Sequence, residues 1–212
     1  MARVAGLPRR VGGIDIPQDR ISATTWAWAQ RALPHYLLAH SVRSYAWGAT
    51  LGRDEGLAFE PRILWTASLL HDVGLTRIPR NRRCFEFEGA EIARRFLVGQ
   101  GMPSSEADRV GLAIELHMAP SVTLDDGVES VLLDRATGID VRATEFDRIS
   151  VVRAEVTRTF RRGRFESLFL AAIRREVAAR PGCQSERLLV RTGLAEAMAR
   201  SPWRASEPAG RG

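Results

Sequence analysis

Four histidines are spread over the 212 residues of the chain: His35, His40, His71 and His117. The last three fall on stretches of helical periodicity. His71 continues the apolar stripe of Leu64, Ala67 and Leu70, and His117 extends the line of Val110, Ala113 and Ile114. His40 lies among Leu37, Arg43 and Ser44 on its own stretch. A single histidine on an apolar face is more often a satisfied core group than a ligand. Three that point inward, with Asp72 beside His71, make a metal centre the stronger reading. Imidazole and carboxylate together suit one divalent ion, zinc first, with iron or manganese as alternatives. The set lacks thiolate, which argues against a purely structural zinc site. Neighbouring side chains in mid-helix diverge by about 100°. His71 and Asp72 can therefore share an ion only where their helix ends, and Gly74 supplies that end.

Composition removes several other chemistries. All 31 basic side chains are arginine and the chain has no lysine. A Schiff base, a P-loop lysine and a nitrilase-type catalytic lysine are thereby excluded. The net charge is +6, but the arginines are interleaved with acids as on solvated helix faces, so nucleic acid is not an expected partner. Cys84 and Cys183 have no CxxC spacing and are too few for a disulfide framework, so a cytoplasmic setting is expected. No apolar run approaches 18 residues, so no membrane span is expected. The N-terminus has no apolar core behind its basic residues and reads as a loose arm rather than a secretory signal.

The elements that must hold these residues are helices. Periodic stretches cover 19–33, the segment from His35 to Gly56, and a helix opening at Pro61, a favoured first position. An arginine-rich loop, LTRIPRNRRCFEFEG, follows Gly74. Further helices are expected over 88–99, from Ser104 to Pro120, over ESVLLDRATGID ending near Gly138, over 147–159 and 164–179, and over SERLLVRTGLAEAMAR. No hairpin signal is read. The expected class is all-α, with eight or nine helices. Residues 1–18 form the arm, 19–200 a single metal-dependent catalytic domain, and 201–212 a flexible tail.

Three segments carry a family likeness. His40 in HSVRSYAWG, His71-Asp72 in LLHDVGL and Asp140 in ATGIDV together resemble the H…HD…D signature of the HD superfamily. Within it, HSVRSYAWG, CFEFEGAEIARRFL and AIELHMAP are similar to segments of the cyanamide hydratase-like branch. The likeness covers roughly residues 20 to 190. It implies an HD-type helical bundle and metal ligands at His40, His71, Asp72 and Asp140. His117 falls where the family has a further pocket histidine, as an acid/base group or a ligand to a second metal. With no other histidine between the HD pair and Asp140, one metal is expected.

The resemblance implies a hydratase or hydrolase that uses metal-activated water on a small molecule with a nitrile-like or other C–N centre. In that reading His117 or Glu86 moves the proton, and Arg43 orients an anionic or polar substrate or pairs with Asp72 or Glu86. Arg77, Arg80, Arg82 and Arg83 form a solvated loop or a phosphate clamp. Tyr45, Trp47, Phe85 and Phe87 are core or pocket aromatics. The alternatives are a nucleotide phosphohydrolase of the same superfamily and a non-catalytic ligand-binding protein. The partner is a small-molecule substrate, and a homo-oligomer is left open.

Overall fold

The computed structural model of the chain describes residues 6–76 and 83–203. Among the described residues the fold is all-α apart from one two-stranded hairpin. Eight helices are ten residues or longer: α1 (Arg20–Ala32), α2 (His35–Asp54), α3 (Pro61–Leu70), α4 (Phe85–Gly99), α5 (Ser104–Leu116), α6 (Val128–Arg142), α7 (Ser150–Thr159) and α8 (Phe165–Ala179). Two short ones, α9 (Gln184–Glu186) and α10 (Leu194–Ala199), close the described chain.

α2 is the axis of the bundle. Fifteen of its 20 residues are buried, so it has no solvent face of its own. Small residues make this burial feasible, because they let neighbouring backbones approach. A Cβ on Gly48 would stand 3.2 Å from the Leu132 carbonyl oxygen of α6. The close crossing sets the α2 stripe His40, Arg43 and Trp47, one helical face, against Asp140 of α6.

α3 begins with Pro61 behind Glu60, whose carboxylate accepts from the Arg62 amide at 3.4 Å. Its regular part stops at Leu70, His71 takes the C-cap position, and the chain continues as a 3-10 turn over Val73–Thr76. The expected helix end at the HD pair is present. Gly74 is required there for a different reason as well: a Cβ would lie 2.1 Å from the Phe85 carbonyl oxygen. The first turn of α4 is thus packed directly on the turn that follows the pair.

Several expectations are corrected. The N-terminal residues from Gly6 are anchored rather than loose. β1 (Arg10–Val11) and β2 (Ile14–Asp15) pair antiparallel through Gly12 and Gly13, at φ +56 and +78. Two successive positive-φ residues are what a tight two-residue hairpin needs, so Gly12-Gly13 was the hairpin signal. Val11, Ile14 and Ile16 are buried, and the Tyr45 hydroxyl donates to the Asp15 carbonyl at 2.7 Å. α4 starts at Phe85, three residues early. α6 passes through Gly138 and ends at Arg142, with Ala143 in the left-handed region. The C-terminal stretch is not one helix: α9 runs into a π-helical turn, Arg187–Arg191, and Gly193 at φ +58 separates it from α10.

The cysteines are also paired. Cys84, the N-cap of α4, is disulfide-bonded to Cys183, the N-cap of α9. That removes the argument for a reducing compartment from cysteine content. Of the expected flexible tail, Trp203 is buried and its indole N–H donates to the Ile139 carbonyl at 3.0 Å; residues 204–212 lie outside the described residues. No helix among the described residues is long and apolar enough to cross a membrane.

Candidate metal centre

Each of the three inward histidines has its Nδ1 engaged. His71 Nδ1 bonds the Ser68 carbonyl at 2.8 Å, and His117 Nδ1 bonds the Ile114 carbonyl at 2.6 Å. A carbonyl only accepts, so in both rings Nδ1 carries the proton and Nε2 keeps its lone pair. His40 Nδ1 faces Asp140 Oδ2 at 2.7 Å, with the same consequence. Burial lowers the pKa of His40 despite the carboxylate beside it.

These tautomers turn lone pairs toward one point. His40 Nε2 lies 3.2 Å from His71 Nε2, and Asp72 Oδ2 lies 3.3 Å from His71 Nε2 and 3.7 Å from His40 Nε2. With both rings neutral, three acceptors this close repel one another unless a positive charge, a metal ion or a proton on His71, sits between them. Asp72 Oδ2 is buried and has no hydrogen-bond partner. Burial opposes ionisation of Asp72, yet His71 prevails and holds its pKa down to about 2. Burial likewise works against charge on His71, but Asp72 raises its pKa above the ordinary value. Ligands about 2.1 Å from a tetrahedral ion stand about 3.4 Å apart, and the three observed separations bracket that figure. His40, His71 and Asp72 thus form a group able to hold a metal ion.

Asp140 is not brought into this group. Its Oδ1 accepts from Arg43 Nε at 2.8 Å and from the Trp47 indole at 3.0 Å, and Oδ2 accepts from Arg43 Nη2 at 2.7 Å as well as from His40. Arg162 Nη1 lies 3.1 Å from Oδ1. Against the cost of burial two arginines, Arg43 with the larger effect and then Arg162, hold the Asp140 carboxyl well below the ordinary range. A carboxylate offers about four lone-pair sites, and these partners occupy them. The residue expected as a fourth ligand therefore stands behind His40, fixing its tautomer and ring orientation. Phe165 stacks on the same ring at 4.9 Å between centroids, with Arg43 and Arg162 over its face.

A cavity of about 180 Å³ opens onto the cluster. His40, His71, Asp72 and His117 line one part of its wall, and Thr137, Phe169 and Leu188 line others. Neither Arg43 nor Glu86 lines it. Arg43 is spent on Asp140, a pairing the sequence did not suggest, rather than on substrate, Asp72 or Glu86. Glu86 is fully buried with both carboxylate oxygens unpartnered. Burial, reinforced by Glu176, pushes its pKa up to about 7. Tyr45, Trp47 and Phe85 are core residues, and Phe87 is partly exposed; the aromatic of the cavity is Phe169. Of the loop arginines, Arg83 pairs with Glu91 at 2.9 Å, while Arg77, Arg80 and Arg82 lie outside the described residues.

Residues 37–157 match the family described as HD domain. That is more than half of the chain. The chain belongs to the HD-domain family. No curated protein matches it. The HD match runs from within the first turn of α2 through most of α7, and contains His40, His71, Asp72, His117 and Asp140. Phe169, Arg187, Leu188 and Thr192, which complete the cavity, come from beyond it. The sequence reading missed these. It also missed Asp134, Thr137, Val141 and Arg142 of the cavity wall, although their spacing on α6 marks one helix face opposite Asp140.

Proposed function

We propose that this HD-domain protein is a metal-dependent hydratase or hydrolase acting on a small molecule, with a nitrile-like or other C–N centre as the reacting group. The observation that carries the reading is the cluster of His40 Nε2, His71 Nε2 and the orphaned Asp72 Oδ2, open to a cavity of about 180 Å³. When bound there, a divalent ion supplies Lewis acidity, which acidifies water and polarises an electrophile. Zinc suits the imidazole–carboxylate donors and the near-tetrahedral spacing, with iron or manganese as alternatives.

The chain's own side chains have separate tasks in this proposal. His40 and His71 present fixed Nε2 lone pairs because Asp140 and the Ser68 carbonyl hold their other nitrogens. His117 sits beside His71, ring centroids 5.0 Å apart, with Nε2 free to take a proton from water or return it to a leaving group. Burial, then His71, lowers its pKa to about 4, so it begins the cycle neutral. Glu86, out of the cavity wall, is not assigned a proton-transfer role. Phe169 and Leu188 supply apolar wall to the cavity.

A second reading, hydrolysis of a nucleotide phosphate, has Arg142 and Arg187 on the cavity wall in its favour. The size favours the first: a 150 Å³ cavity accommodates benzene and drug-sized ligands occupy about 300–1,000 Å³, so about 180 Å³ suits only a few heavy atoms. The test is an assay of metal-loaded protein against small nitriles and a nucleotide panel, beside His71→Ala. Nitrile hydration lost in His71→Ala is the expected result. Phosphate release without nitrile hydration would select the second reading, and turnover indifferent to the substitution would sink both.

A further inference from the structure

The cavity has a second polar end. α6 turns one stripe toward it: Asp134, Thr137, Gly138, Val141 and Arg142. Their i, i+3, i+4, i+7, i+8 spacing is that of a single helix face. The facing wall comes from the π-helical turn that carries Arg187 and Leu188. Single π turns are frequent at functional sites. Arg187 is anchored there, its Nε donating to Gln184 Oε1 at 2.8 Å and its Nη2 to the Met118 carbonyl.

Arg142 is different. It has no hydrogen-bond or ion-pair partner among the described residues. Its guanidinium folds back along the helix, and Nη2 stands 3.4 Å from where a Cβ of Gly138 would be. Asp134 is half-buried on the same stripe; its carbonyl accepts from the Thr137 hydroxyl, but its carboxylate has no hydrogen-bond partner among the described residues. After burial itself, the strongest influences on Asp134 are Arg142 and Arg187. The charges acting on Asp72 are instead the three histidines. The cavity wall thus carries the histidine–aspartate cluster and, from α6 and the π-helical turn, two guanidinium groups and one carboxyl.

We propose that the Arg142–Arg187 end binds an anionic group of the substrate, a carboxylate or phosphate-type oxyanion remote from the reacting atoms. Two permanent positive charges, the anchored Arg187 and the solvent-exposed Arg142, stand against one acid, so the balance at this end is positive. Guanidinium forks match the geometry of an oxyanion, and an unpaired one on a cavity wall is available to it. Asp134 is the opposing charge that limits affinity and rejects neutral apolar ends. The substrate class that follows is a small acid, with its reacting centre at the histidine cluster and its charge at the opposite end. Only the reacting end rests on the metal-dependent reading; the oxyanion site does not need a metal.

The test uses metal-free full-length protein with acetate, inorganic phosphate and ethylammonium as probes, followed through the arginine Nε–Hε signals by NMR. Binding in the millimolar range is expected for at least one oxyanion, up to about 50 mM. Arg142→Gln should weaken it about fivefold and Asp134→Asn should tighten it about threefold, the scale of partly exposed charge interactions. A preference for acetate or for phosphate identifies the class of anion. The proposal is overturned if ethylammonium binds instead and loses affinity in Asp134→Asn. It is equally overturned if no oxyanion binds, or if Arg142→Gln leaves oxyanion affinity unchanged. Thermal melts of both variants check the fold. Failure here would leave metal binding by His40, His71 and Asp72 intact, and failure of metal binding would leave these probe titrations intact.

Discussion

Asp140 shows how one side chain can serve a centre without touching it. Its carboxylate is fully buried and shared by Arg43, Arg162, Trp47 and His40. Removing one member of a buried ionic network leaves the others uncompensated, typically at about 3–5 kcal/mol. Asp140→Asn should therefore lower unfolding stability by that order, measured by denaturant titration. Metal affinity should fall about 10–100-fold without loss of a ligand atom, because the substitution frees the His40 ring rather than emptying a coordination position. Chelator competition measures the affinity, and X-ray absorption on the loaded variant checks that two imidazoles remain. Glu86 makes stability depend on pH. Its pKa is raised from 4.5 to about 7 in the folded chain. Below the unfolded value both states are protonated and pH has no effect; above it, the unfolded chain ionises first and stability is lost as pH rises to about 7. Glu86→Gln should remove that loss, adding about 3 kcal/mol at pH 8 and nothing at pH 4, as read from paired melts at the two pH values.

At the scale of elements, the decisive contact lies between the turn after the HD pair and the first turn of α4. Gly74 permits it, since any Cβ there would meet the Phe85 backbone, which cannot swing aside like a side chain. Gly74→Ala should push α4 off the turn carrying Asp72 and shift Phe85 from His117, 5.8 Å away between centroids. A stability loss above about 2 kcal/mol is expected from such overpacking, together with weakened metal binding in the same chelator assay. Gly89→Ala is the control, because its nearest contact would be an ordinary 3.4 Å. Unchanged metal affinity in Gly74→Ala would show that the contact does not set the site.

Across the whole molecule, the cavity depends on chain that the HD match leaves out. The disulfide joins Cys84, beside Phe85, to Cys183, just before the turn that carries Arg187. It closes a separation of 99 residues, which in the chain-entropy description contributes about 4–5 kcal/mol. Reduction should lower unfolding stability by that order, while a Cys84→Ala, Cys183→Ala double variant should be indifferent to reductant. Equal denaturation midpoints with and without reductant in the wild-type chain would overturn the prediction.

The sequence by itself determined the all-α class, most helix starts, the helix end at His71-Asp72 and the inward placement of His40, His71 and His117. These follow from local rules: periodicity, a proline at a first turn, and a glycine after a stop. Local rules also sufficed for the Gly12-Gly13 hairpin, which was legible but not read. The tertiary structure alone decided which carboxylate stands where. Asp140 on α6 and Arg43 on α2 are 97 positions apart, and only the close crossing at Gly48 makes them partners. Sequence spacing can say that both are on buried helix faces, but a buried carboxylate goes to whichever cation the packing brings nearest. The same holds for Cys84 with Cys183, and for Arg142 with Arg187, whose meeting depends on how the C-terminal turns fold back over α6.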